Sequence, residues 1–163
     1  MIVIYITKGC KLLVKKILVP FDNSKYSEKS LVYAVKLANV VFLGNVSKPI
    51  VKILLLHVFQ ELPITKSLLD KPLRNKKDGS VTTLSEHALG IYKQMEDSMQ
   101  KAMEEKIKKI GSPKGVEFEC VILYGNPANE IVDFADKKKV DLLIMGSNGL
   151  QGLAKIKGLG SVS

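Results

Sequence analysis

The chain has 163 residues, 46% hydrophobic and 25% charged, which suits one domain around one core and leaves no room for two ordinary ones. Cys10 and Cys120 form no CxxC pair and lie far from any histidine cluster, so a reducing compartment is expected and a structural zinc site is not. The net charge of +9 invites a nucleic-acid reading, but only Arg74 among the 25 basic residues is arginine, and scattered lysines without interleaved aromatics read as solvated faces instead.

Met1 to Val14 reads MIVIYITKGCKLLV. A secretory signal would place its charge before a longer apolar stretch. Two readings stay open for residues 1–14. Either Ile2-Val3-Ile4-Tyr5-Ile6 is a genuine additional strand, or translation begins at Val14, the slightly favoured alternative, and the segment is an extension.

Lys16-Ile17-Leu18-Val19-Pro20 reads as a buried strand ended by proline. Phe21-Asp22-Asn23-Ser24 is a loop with capping chemistry. Ser24 or Ser27 starts a helix running to about Phe42, with Leu31, Val35 and Ala38 on one face. The uncharged run Leu37 to Ser47 is far too short for a membrane span. Ile50 to Phe59 is nearly continuous in apolar residues, as a strand of a parallel sheet should be.

Gln60 to Ser80 carries Pro63, Pro72 and Gly79 and is read as a long loop. A helix is predicted from about Leu84 to Ile110, its stripe of Leu84, Ala88, Ile91, Met95, Met99, Met103 and Ile107 read as core. Gly111-Ser112-Pro113 stops it. Val116 to Leu123 is a third strand, and Tyr124-Gly125-Asn126-Pro127 turns the chain into a helix that reaches about Lys138. Leu142 to Met145 is a fourth strand, opening directly into a glycine-rich segment.

Strands alternating with helices imply right-handed crossovers, hence an open, mostly parallel sheet of at least four strands with helices on both faces. In such α/β sheets ligands bind beyond the carboxyl ends of strands, where the connections change direction. That rule singles out Pro20 to Ser24, His57 to Phe59, and Gly146 onward.

Met145-Gly146-Ser147-Asn148-Gly149, followed by Gly152, Gly158, Gly160 and Ser161, is the strongest chemical feature. Glycines after a buried strand allow close backbone approach and leave amides for phosphate oxygens. The pattern is neither a Walker loop nor a GxGxxG fingerprint. On glycine count alone, a phosphate cradle and a flexible connector are equally good readings. Plainer roles are available elsewhere too: Asp22, Ser24 and Ser27 as helix caps, His57 as a hydrogen-bonded strand histidine, His87 as solvated, Cys120 as a small buried hydrophobe. No residue is singled out as catalytic and none as a metal ligand.

KKILVPFDNSKYSEKSL, ILLLHV, YGNPANEIVDFA and VDLLIMGSNGLQGLAKIKGLGSVS together resemble the universal stress protein family across residues 15–163. The resemblance implies a Rossmann-like fold of the adenine nucleotide alpha hydrolase type and a regulatory, ATP-binding role in stress response. ATP-binding members carry Gly-x-x-Gly, nine residues, then Gly-Ser or Gly-Thr. Here Gly146-x-x-Gly149 precedes Gly160-Ser161 by ten residues. The resemblance places Pro20 and Asp22 at the first strand's end, with Asp22 near the adenosine, and Val58 against adenine through its backbone. Met145 joins the contact set and Gly146 sits by the ribose. Gly149, Gly160, Ser161, Val162 and Ser163 supply triphosphate contacts, with Mg²⁺ held mainly by the phosphates.

Expected partners are an adenine nucleotide, a second copy in a homodimer and an unidentified protein; a membrane and nucleic acid are not expected. The expected location is the cytoplasm, and enzymatic activity at most slow ATP hydrolysis. The family pattern continues past Gly-Ser with a helix and a final strand, roughly 20–25 residues, so the domain is read as C-terminally incomplete. The fourth strand is then expected to be an unprotected edge. That edge motivates an alternative function, a nucleotide-independent interaction module that pairs through it.

Overall fold

The computed structural model describes residues 2–6, 14–44, 50–60, 72–74, 79, 81–111 and 113–146. In chain order they form β1 (Ile2–Ile6), β2 (Lys16–Pro20), α1 (Lys25–Gly44), β3 (Val51–Phe59), β4 (Pro72–Arg74), β5 (Val81–Thr83), α2 (Leu84–Ile110), β6 (Val116–Tyr124), α3 (Pro127–Lys138) and β7 (Leu142–Gly146). The main sheet has the order β1-β7-β2-β3-β6. Four of its strands, β7, β2, β3 and β6, run parallel, as the alternation of strands and helices predicts.

Side chains alternate across the strands and so build two cores. On one face Ile17, Val19, Ile53 and Leu55 pack with Leu31 and Ala34 of α1 and Met103 of α2. On the other, Leu18, Leu54, Leu56 and Leu143 pack with Ile131, Phe134 and Ala135 of α3. Burial of strands on both faces explains why they read as continuous apolar runs rather than alternating ones.

Local chemistry fixes the helix ends. Thr83 Oγ1 accepts from the Glu86 amide at 3.2 Å while Glu86 Oε2 accepts from the Thr83 amide at 3.1 Å, a reciprocal capping box at the start of α2. Asn126 Oδ1 accepts from the amides of Ala128 and Asn129 at 3.1 and 3.2 Å, with Pro127 opening α3. Lys108-Lys109 and Lys137-Lys138 sit in the last turns of α2 and α3, where cations complement the helix dipole.

Three expectations change. Residues 72–74, within the segment read as loop, pair antiparallel with β5, Pro72 opposite Thr83. Proline is tolerated there because it is the strand's first residue. The stripe on α2 is only partly core: Met103 is fully buried and Met99 and Ile107 pack beside it, but Ile91 and Met95 are exposed. With 27 residues α2 extends about 40 Å, whereas the nine residues of β6 beneath it span about 30 Å, so its first turns overhang the sheet. Finally, β7 is not an unprotected edge. Ile2–Ile6 pairs antiparallel along its full length, from Ile2 opposite Gly146 to Ile6 opposite Leu142.

Candidate functional site

From β2 the chain crosses to β3 and β6 on one side and returns to β7 on the other, so the connections change direction between β2 and β7. These two strands pair only at Ile17 with Leu142 and Leu18 with Leu143, then part. A cleft of about 500 Å³ lies at their carboxyl ends, within the roughly 300–1,000 Å³ usual for small-molecule sites. Its wall brings together Pro20, Asp22, Val58, Met145 and Gly146, which the family resemblance had assigned to one site from three separate segments. Gly149, Gly160, Ser161, Val162 and Ser163 lie outside the described residues.

The β3 wall presents backbone as well as side chains. The Phe21 amide donates to the Leu56 carbonyl at 2.7 Å, so Leu56 directs its peptide groups toward β2. Strand geometry repeats every two residues, and Val58 therefore directs its own N–H and C=O to the same side. The β2–β3 ladder ends at Pro20 opposite Leu56, which leaves the Val58 groups directed past the end of β2, at the cleft.

Asp22 is not the helix cap itself. Its Oδ1 accepts from the Ser24 amide at 3.0 Å, while Ser24 Oγ accepts from the Ser27 amide at 3.2 Å and thereby caps α1. Burial pushes the Asp22 carboxyl up, but the hydroxyls of Ser24 and Ser27 and the Ser24 amide outweigh it and hold the group below the ordinary aspartate value. A depressed folded value stabilises the protein above the unfolded value, and that contribution is lost as pH falls through the folded one. The stability difference between the unchanged protein and Asp22→Asn should therefore narrow on acidification from about pH 5 to about pH 3. Thermal melts across that range check it; a constant difference would show that the carboxylate's charge plays no part.

His57 Nδ1 lies 2.7 Å from the Phe21 carbonyl oxygen and must donate to it, locking the loop after β2 onto β3. It is the hydrogen-bonded strand histidine expected, and it also lines the cleft. Tyr26, Pro127 and Ile131 line it as well and were not anticipated. Pro127 and Ile131 are four residues apart on α3 and share a face; that spacing, at the start of a crossover helix, was the available signal. Tyr26 offered none, because its place over Gly146 depends on how α1 meets β7. A Cβ added to Gly146 would lie 2.8 Å from Tyr26 Cβ.

Asp22, Ser24 and Ser27, linked by hydrogen bonds, and His57, bonded to the neighbouring Phe21 carbonyl, are polar groups lining the cleft, and Leu56, Val58, Ile131 and Met145 supply apolar surface. Among the described residues, no group of three or more His, Cys, Asp or Glu is placed to hold a metal ion. No helix among them is long and apolar enough to cross a membrane.

A sequence model of the universal stress protein family matches residues 14–163. The chain belongs to the universal stress protein family. It is 31% identical over 148 residues to universal stress protein YxiE of Bacillus subtilis, a match covering 91% of this chain and 88% of that protein. Identity rises to 45% over 73 residues with universal stress protein MJ0531 of Methanocaldococcus jannaschii, where the match spans 45% of this chain and 42% of the relative. The solved structure of universal stress protein UspA from Lactobacillus plantarum superposes with a TM-score of 0.56 at 18% identity, covering 82% of this chain and 78% of that one, a likeness of fold alone.

Proposed function

We propose that this universal stress protein binds an adenine nucleotide, ATP with Mg²⁺, in the cleft between β2 and β7 and acts as a cytoplasmic regulatory domain. The observation that carries the reading is the convergence of Pro20, Asp22, Val58, Met145 and Gly146 on one cleft of about 500 Å³. The peptide groups of Val58 suit the hydrogen-bonding edge of adenine, and the apolar surface of Leu56, Ile131 and Met145 suits its ring. Asp22, kept ionised, is an acceptor for ribose hydroxyls.

The glycines of Gly146-x-x-Gly149 and Gly160-Ser161 supply amides for the phosphates. Asp22 is the sole carboxylate among the described lining residues, so Mg²⁺ rests mainly on the phosphates, where it neutralises their charge. Among the described lining residues no side chain is arranged as a nucleophile with its base, which favours binding over turnover. Binding changes the choice of partner or the balance between monomer and homodimer.

Calorimetric titration of the full chain with MgATP and with MgGTP tests this. Expected is one site at micromolar or tighter dissociation, at least about tenfold in favour of ATP, with sedimentation altered by the bound nucleotide. Dissociation weaker than about millimolar, or equal binding of both nucleotides, would remove the proposal.

A further inference from the structure

The stretch of β7 that walls the cleft has few partners within the sheet. Its ladder to β2 stops at Leu143, and Ile144, Met145 and Gly146 continue past the point where the two strands part. The ladder to β1 runs on to the end, with Ile4 opposite Ile144, Val3 opposite Met145 and Ile2 opposite Gly146. Among the described residues, β1 is thus the strand that pairs with the cleft wall.

The direction of the peptide groups sharpens this. The Asp141 amide donates to the Lys16 carbonyl at 3.0 Å, so Asp141 faces β2. With a repeat of two residues, Leu143 and Met145 also face β2, and Leu142, Ile144 and Gly146 face β1. In an antiparallel ladder these are the positions that exchange both bonds with their opposites, here Ile6, Ile4 and Ile2. The peptide groups of Val3 and Tyr5 point away from β7. The family match begins at residue 14 and does not include this strand.

We propose that Ile2–Ile6 is a positioning strand for the cleft, holding Ile144 and Gly146 in the sheet so that the β7 wall of the cleft keeps its place. The consequence for binding rests on the nucleotide reading above; the consequence for order in β7 does not.

Two proline variants of the full chain separate the possibilities. Ile4→Pro removes an amide that donates to β7, whereas Val3→Pro removes one that faces away. In Ile4→Pro, hydrogen-exchange protection of the Ile144 and Gly146 amides should fall at least about tenfold while β3 keeps its protection. MgATP affinity should weaken about tenfold in the same protein. In Val3→Pro both should stay within about twofold of the unchanged chain. Should β3 also lose protection in Ile4→Pro, Ile4→Gly, which keeps the amide but weakens the strand by about 0.5–1 kcal/mol, is compared in its place, with a smaller loss of about twofold to fivefold at Ile144 and Gly146 expected and none at β3.

Unchanged protection at Ile144 and Gly146 in Ile4→Pro, or an equal loss in Val3→Pro, overturns the proposal. Loss of protection as expected, in a chain whose unaltered form binds no MgATP, removes the nucleotide reading and upholds the strand's role. Loss of protection with MgATP affinity intact overturns the positioning of the ligand site.

Discussion

Replacing Gly146 by valine should weaken the proposed MgATP binding at least about a hundredfold and lower the melting temperature by about 2–12 °C. The cause is a single contact. A Cβ at this position would stand 2.8 Å from the Cβ of Tyr26, with Tyr26 backbone atoms at 3.6 Å. Tyr26 Cβ is fixed to the first turn of α1 and cannot swing aside as a side-chain tip could, so the helix or β7 must move. Overpacking of this kind costs about 1–3 kcal/mol, and a chain of this size loses about 2–4 °C for each. The two γ-methyl groups of valine extend the damage along the cleft wall, between the end of β7 and the loop that carries Asp22.

A double-mutant cycle isolates the contact. Gly146→Ala introduces the same Cβ, and Tyr26→Gly removes the atom it meets, so the pair should cost less than the sum of the single changes by at least about 0.5 kcal/mol. Tyr26→Ala keeps its Cβ and should give no such relief. MgATP affinity in Gly146→Val is expected to drop at least about a hundredfold, close to 3 kcal/mol. Wild-type melting together with wild-type affinity would show that the cleft wall tolerates a side chain there, and would count against Gly146 as its floor.

How much was legible in the sequence follows from the range over which each feature is determined. The strands Lys16–Pro20 and Leu142–Gly146 could be read directly because burial on both faces leaves an unbroken apolar run. The bounds of α2 were legible because Gly111 is a local stop signal, with φ of +81° and an amide bonded back to the Ile107 carbonyl. The segments that line the candidate cleft were legible because topology alone sends Pro20, Val58 and Gly146 to the same end of the sheet. Relations between distant residues were not legible. His57 and Phe21 are 36 residues apart and meet because β2 ends one residue before the loop that must be held. The pairing of Ile2–Ile6 with β7 spans nearly the whole chain, and nothing in five strand-forming residues names a partner. The split in the methionine stripe was hidden for another reason: periodicity shows which face of a helix is apolar, and the length of the sheet beneath decides how much of that face is covered.

That split leads to a second large expected effect. Met103→Ala should destabilise the protein by about 2–5 kcal/mol, whereas Met95→Ala, two turns earlier on the same stripe, should change stability by no more than about 0.5 kcal/mol. Met103 is 0% exposed and packs with Ile17, Leu31 and Ile53 in the core on the α1–α2 face. Removing its thioether leaves a cavity that strands and helices on all sides cannot close. Met95 is 43% exposed and lines a separate 370 Å³ hollow with Ile91 and Phe59, at the end of β3. Alanine there opens no enclosed cavity, because the hollow already reaches the surface, and is the stronger helix former. Because a domain's whole stability is about 5–15 kcal/mol, Met103→Ala should lower the melting temperature by about 5–15 °C, and Met95→Ala by no more than about 2 °C. Chemical denaturation of both variants decides the matter. Equal losses would mean that the first half of α2 is packed as tightly as the second. Then the stripe would be core along its whole length, and helix length would have no part in setting its limit.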